Sequence, residues 1–169
     1  MHRLTVDEFK AASKLPLVVV LDNVRSLHNV GSVLRSCDAF RVEAVYLCGI
    51  TATPPSAEIH KTALGAEDSV TWKYFAETTD AVDELHAHAT KVLAVEQVAG
   101  STMLQNLQTN EGQRYAVVLG NEVKGVQQAV VDCCDGCLEI PQFGTKHSLN
   151  VSVAAGIVVW EFAKKIGNK

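Results

Sequence analysis

Residues 17–21 read Leu-Val-Val-Val-Leu, and residues 115–119 read Tyr-Ala-Val-Val-Leu, with no charged or turn-forming residue in either run. A strand with one face in water alternates apolar and polar side chains; a strand this uniformly apolar needs cover on both faces. The chain is thereby committed to layers, with helices above and below a sheet. The intervening segments supply them. From about Asn29, Val30, Val33, Leu34 and Cys37 recur at helical spacing, and after Ser148 so do Val151, Ala154, Ala155, Val158, Val159 and Phe162. Further strands are predicted over residues 44–48, 70–75, 91–95 and 137–140, and further helices over 56–63, 79–89 and 126–132. This rhythm predicts an α/β fold with an open, mostly parallel sheet and helices on both faces. Thr5 and Glu8 have capping-box spacing for a short helix to about Ser13. Gly65 is a candidate C-cap, and residues 96–110 read as loop with a helical turn near Leu104.

In open parallel sheets ligands bind beyond the carboxyl ends of the strands. Three polar loops occupy such positions, after Leu21, Leu119 and Ile140. The third begins at Pro141, which cannot donate to a central ladder; it runs through Gly144, Lys146 and His147 to Ser148, a suitable N-cap for the last helix. The phosphate-binding patterns G-x-G-x-x-G and G-x-x-x-x-G-K-[ST] do not occur, which argues against dinucleotide and P-loop nucleotide sites.

At 169 residues the chain is expected to form one domain over residues 1–169. Its longest apolar runs are too short to span a bilayer, and its first residues lack the apolar core of a signal peptide. Five cysteines, an odd number, suit a reducing compartment. A cytoplasmic protein without membrane attachment is therefore expected. Cys134 and Cys137 have C-x-x-C spacing, but no second ligand pair completes a zinc site, so these thiols read as incidental and no metal is expected. The net charge of −4 excludes nucleic-acid coating by bulk charge while leaving room for a local basic patch. Arg25, Arg35, Lys124 and Lys146 lie in or beside the three loops. Aromatic residues make up 6%, so base stacking is not an evident strategy.

Three segments taken together identify a relationship. They are N-x-G-x-x-x-R at Asn29, Gly31 and Arg35; L-G-x-E-x-x-G at Leu119, Gly120, Glu122 and Gly125; and I-P-x-x-G-x-x-x-S-L-N-V-S from Ile140 to Ser152. In order and spacing they resemble the three motifs of the SpoU (TrmH-like) RNA methyltransferases of the SPOUT superfamily. The third motif is long and specific, and the resemblance covers residues 17–162.

The resemblance implies a C-terminal segment threaded into a deep trefoil knot, and S-adenosylmethionine as cofactor. The cofactor would be held by Leu119, Gly120, Glu122, Ile140, Ser148 and Leu149. It further implies a homodimer with each active site near the subunit interface, and methyl transfer to a ribose 2′-hydroxyl of tRNA or rRNA. Carried over by position, the catalytic set is Asn29, Arg35, Glu122, Ser148 and Asn150. Arg25, His28, Lys124 and Lys146 are candidate RNA contacts, with His147 beside them.

A ribose hydroxyl is a weak nucleophile until it loses its proton, so an enzyme must align it with the methyl donor and assist that loss. The family account makes Arg35 the base. A guanidinium, which proteins do not normally deprotonate, suits gripping a phosphate and stabilising a developing alkoxide better. Asn29 and Arg35, six residues apart, do not share a helical face; they would meet if Asn29 lay in the loop. Bland alternatives stand beside each role: helix N-cap for Asn29 and Ser148, first-turn acid for Glu122. Asn150 has little reason to lie within an apolar helix. Two competing readings are a SPOUT base methyltransferase, disfavoured by the first motif, and a catalytically inactive knotted RNA-binding or assembly factor.

Overall fold

The two apolar runs become neighbours at the centre of one sheet. They are β1 (Leu15–Asp22) and β6 (Arg114–Leu119), paired in parallel with Leu17 opposite Tyr115 and Leu21 opposite Leu119. The computed structural model describes residues 1–167. Outward from β1 lie β2 (Val42–Cys48) and β3 (Trp72–Phe75); outward from β6 lie β4 (Thr90–Val95), β7 (Gly136–Glu139) and β5 (Thr102–Met103). Every pairing is parallel, giving the order β3-β2-β1-β6-β4-β7-β5. Their carboxyl ends therefore share one edge, and the loops that leave them meet there.

Both faces are covered, as the apolar runs require. On one face Leu17, Val19 and Leu21 of β1, with Tyr115, Val117 and Leu119 of β6, pack beneath α2 (Leu27–Ala39) and α7 (Val151–Ile166). α1 (Val6–Ala11), α3 (Ala57–Ala63) and α4 (Ala66–Ser69) complete this layer through Phe9, Ile59, Ala63 and Ala66. On the other face Val18, Val20, Ala116 and Val118 meet α5 (Thr78–Ala87) and α6 (Gln128–Cys133) through Ala81, Val82, Leu85 and Val130. The period-2 alternation of the strands thus divides each run between two cores.

Several local expectations need correcting. The last helix starts at Val151, and Asn150 rather than Ser148 caps it: the Asn150 Oδ1 accepts from the amides of Ser152 and Val153 at 2.9 and 3.3 Å. α2 starts at Leu27 with Ser26 as its cap, so Asn29 is in the first turn and not in the preceding loop. Residues 120–125 form a hairpin-like turn closed by an Asn121–Gly125 bridge; α6 begins only at Gln128, and Glu122 is not a first-turn acid. Leu64, at φ 53°, is the C-cap of α3, and Gly65 leads into the unforeseen α4. That extra turn shortens the third strand to Trp72–Phe75. The two-residue β5 was not foreseen, whereas a 3-10 turn does form at Leu104–Asn106. The capping box of Thr5 and Glu8 is present.

Candidate functional site

The turn after β6 is built by close backbone approach. A Cβ on Gly120 would stand 2.1 Å from the Gly125 carbonyl carbon, and one on Gly125, at φ +70°, would stand 2.3 Å from the Glu96 Oε1. Inside the turn, Asn121 Oδ1 accepts from the amides of Val123 and Lys124, while its Nδ2 donates to the Asn23 carbonyl at 2.8 Å. Beneath it, Glu96 Oε1 accepts from the Val126 amide at 2.6 Å. The fully buried Asp22 ends β1 and holds three elements: its oxygens accept from the Gln127 amide (2.8 Å), the Gln127 side chain (2.7 Å) and the Thr78 hydroxyl (2.6 Å).

Glu122 projects from this turn to the start of α2. Its two carboxylate oxygens accept from the amides of Arg25 and Ser26, each at 3.1 Å, and Asn29 Nδ2 donates to Oε1 at 3.3 Å. Partial burial opposes ionisation, but these donors outweigh it and hold the Glu122 carboxyl below its ordinary range. Glu122 thus carries its negative charge at the N-terminus of α2, where that charge is favoured. The other side of Asn29 continues the chain of bonds: its Oδ1 accepts from Asn150 Nδ2 at 3.3 Å, and Asn150 Oδ1 accepts from the Ser152 hydroxyl at 2.6 Å. Residues 93 and 121 positions from Asn29 in sequence are joined through one amide. The first, second and third sequence motifs meet here.

Beside this chain, a cleft of about 360 Å³ opens at the strand ends. All six residues expected to hold a cofactor line it: Leu119, Gly120, Glu122, Ile140, Ser148 and Leu149. Lys124 and His147 line it too, as do two acids that sequence reasoning missed, Glu96 and Glu139. Neither belongs to a motif; Glu96 directly follows β4 and Glu139 is the last residue of β7, and that place at a strand end is the only signal they offer.

Arg35 stands apart. It is exposed on α2, six residues and about 9 Å along the axis from Asn29, and it forms no hydrogen bond or ion pair among the described residues. The condition under which Asn29 and Arg35 could meet is not fulfilled, because Asn29 is itself in the helix and not in the loop. α2 runs alongside α7: Asn29 meets Asn150 at one end, and the rings of Phe40 and Trp160 lie 5.7 Å apart at the other. Arg35, between these contacts, is level with about Gly156. Val153, Ile157 and Trp160 on α7 are exposed there.

Among the RNA-contact candidates, Lys124, Lys146 and Arg25 are exposed, Arg25 engaging Glu122 only through its amide. His28 is paired with Glu58 at 2.9 Å, which also pairs with Lys61. All five cysteines are free; burial, with Cys133 and Cys137 nearby, pushes the Cys134 thiol up to about 12. Among the described residues no cluster of His, Cys, Asp and Glu is placed to hold a metal ion, and no helix is long and apolar enough to cross a membrane.

Comparison with known proteins accounts for this geometry. The chain is 32% identical over 160 residues to the 23S rRNA (guanosine-2′-O-)-methyltransferase RlmB of Shewanella oneidensis, covering 95% of this chain and 64% of that one. The chain thus spans under two thirds of that relative's length. An AdoMet-bound rRNA methyltransferase from Sinorhizobium meliloti superposes with a TM-score of 0.81 at 27% identity, over 90% of this chain and 60% of that chain. A TrmH/SpoU tRNA modifying enzyme of A. aeolicus, at 24% identity, shares the fold with a TM-score of 0.82 over 95% of this chain and 81% of that one. The family model described as the SpoU rRNA Methylase family matches residues 16–160, taking in all three motifs and the cleft they surround, and the chain belongs to that family.

Proposed function

We propose that this chain transfers a methyl group from S-adenosylmethionine to a ribose 2′-hydroxyl of tRNA or rRNA, as a single domain over residues 1–169 and as a homodimer. The observation that carries the reading is the hydrogen-bonded chain Glu122–Asn29–Asn150 beside the cleft. It ties the turn after β6 to the starts of α2 and α7, which ordinary strand–helix connections do not need. The relatives that the chain matches are named as RNA methyltransferases, one of them with AdoMet bound. A C-terminal trefoil knot belongs to the same proposal. It is supported by the return of the chain from β7 near one edge of the sheet to α7 over β1 and α2.

The cleft fits the cofactor in size and chemistry. Its volume is in the range of small-molecule sites. Leu119, Leu138, Ile140, Leu149 and Val151 offer an apolar bed for a purine ring, and the acids Glu96, Glu122 and Glu139 favour a cationic ligand. The cofactor, when bound, supplies an electrophilic methyl group on a sulfonium. The protein's own part is positioning. Glu122, already engaged by three donors, orders the start of α2 and does not act as a base. Asn29 transmits that order to Asn150, which sets the first turn of α7. Arg35, charged and free of partners among the described residues, is available to grip a phosphate beside the target ribose and to stabilise its alkoxide. The proton then leaves to water.

Calorimetric titration with S-adenosylmethionine and S-adenosylhomocysteine should show about one site per chain. Labelled methyl should pass to bulk RNA from cells lacking the gene and appear as 2′-O-methyl ribose. Binding without transfer would favour the inactive RNA-binding or assembly factor; transfer to a base would sink the ribose assignment.

The homodimer is supported by the open face of the α2–α7 pair. Val153, Ile157 and Trp160 recur there at helical spacing and are 51%, 39% and 52% exposed, beside the small residues Ser32, Ser36 and Gly156. A second copy laid on this face would bury the stripe and place its own residues beside Arg35. Ile157→Asp is expected to convert a dimer to a monomer in sedimentation velocity while leaving the far-ultraviolet circular dichroism unchanged. A parent protein that sediments as a monomer would end this part of the proposal. The free thiols support work in the cytoplasm, to be checked by cell fractionation.

A further inference from the structure

Of the five phenylalanines, four are packed: Phe9 and Phe162 are buried, Phe40 meets Trp160, and Phe75 meets Tyr46. Phe143 is not. Its ring is 95% exposed in the loop between β7 and α7. The other exposed aromatics have partners, Trp160 on Phe40 and Tyr74 through a hydroxyl that donates to the Gly49 carbonyl. Phe143 has no ring contact among the described residues.

Its position is at the rim of the cleft, because Gln142 before it and His147 after it both line that cleft. From the facing turn Val123 is 82% exposed, between Glu122 and Lys124, which are lining residues as well. Two apolar side chains are thus held in water on the two loops that frame the entrance. The cations around them, Lys124 and Lys146, form no ion pair among the described residues.

We propose that Phe143 is a stacking platform for an unpaired base of the RNA, next to the ribose that enters the cleft, with Lys124 and Lys146 receiving the flanking phosphates. The proposal rests on the methyltransferase reading and adds to it how the substrate is gripped. An unstacked base presents a π-face that a lone exposed ring can cover whatever the base, and cations alongside neutralise the backbone. A second copy of the chain is the poorer occupant. Apolar contact between copies is offered by the contiguous stripe on α7, whereas Phe143 stands among Gln142, Thr145, Lys146 and His147. The composition, poor in aromatics, conceals this, since one ring suffices when the loop leaves it uncovered.

The test is steady-state methyl transfer to bulk RNA from cells lacking the gene, with KM for RNA and kcat resolved separately. Phe143→Ala should raise the KM for RNA about tenfold, the scale of one lost base–aromatic stack, leaving kcat and cofactor affinity near the parent's. Phe143→Tyr should restore the parent KM; Phe143→Leu, apolar but without a π-face, should not. Independently of turnover, Phe143→Trp should show fluorescence quenching on titration with a short single-stranded RNA, beyond that of the parent's Trp72 and Trp160. An unchanged KM in Phe143→Ala, full rescue by leucine, absent quenching, or a shift in sedimentation that marks Phe143 as a subunit contact would each overturn the proposal. If the parent itself moves no methyl, the functional reading fails separately, and quenching alone decides the stacking.

Discussion

Arg35→Ala is expected to lower kcat for methyl transfer by on the order of 10²–10³, the usual cost of removing a group that stabilises charge developing in the transition state. The same variant should keep its cofactor affinity and its thermal midpoint. The reason is visible in the fold: Arg35 is exposed, does not line the cleft, and makes no hydrogen bond or ion pair among the described residues. A surface residue without such contacts contributes within about 0.5 kcal/mol of stability. Arg35→Lys should lose nearly as much activity, because an ammonium cannot offer the planar fork to a phosphate or alkoxide. Guanidinium ion added to Arg35→Ala should recover part of the rate, which a purely structural role would not allow. A Lys variant with more than a tenth of the parent kcat would refute the bidentate role. Combining Arg35→Ala with Ile157→Asp tests whether the residue works at a subunit interface: if it does, the double variant should be no slower than the worse single variant.

The strands that sequence reading located best are those covered on both faces. β1, β2, β4 and β6 are rich in Val, Leu and Ala, and no alternative structure hides such a run as cheaply. β5 escaped because two residues carry no periodicity, and α4 because the four residues Ala66–Ser69 carry too little. The start of α7 was misplaced for a different reason. Ser148 and Asn150 are both good caps two residues apart, and the choice depends on a partner 121 positions away, Asn29, that only the folded chain brings near. The cleft was legible because the family resemblance points to residues at and just beyond the strand ends, and all six of those candidates line it. The relation of Arg35 to the rest was not, because a heptapeptide pattern does not say that Asn29 is already in the helix. Asp22 was read as the opening of a polar loop; nothing in its neighbours announces that Gln127 and Thr78, 105 and 56 residues on, close over it.

That buried carboxylate supports the second large expectation. Asp22→Ala should destabilise the protein by about 3–5 kcal/mol, since it removes the shared acceptor of three hydrogen bonds, stranding the buried Thr78 hydroxyl and releasing the partly buried bonds from the Gln127 amide and side chain. For a chain of this length the thermal midpoint should fall by roughly 10–15 °C. Asp22→Asn should lie between the two, because the side-chain amide keeps one acceptor oxygen but turns two donors towards groups that themselves donate. The effect reaches the cleft by a short route. Gln127 follows Val126, whose amide is held by Glu96, and Gly125, which touches Gly120 across the turn. Releasing Gln127 loosens the turn that carries Gly120 and Glu122 into the lining of the cleft, the proposed cofactor site, so S-adenosylmethionine affinity measured well below the new midpoint should also weaken. Thr78→Val removes a single donor from the far side of Asp22 and leaves the Gln127 bonds in place; it should cost about 1–2 kcal/mol and spare cofactor affinity. Equal loss of affinity in Thr78→Val and Asp22→Ala would show that general loosening, rather than the Asp22–Gln127 link, controls the turn. An Asp22→Ala protein that melts within a few degrees of the parent would show that water reaches these donors, and that the carboxylate does not organise the strand ends.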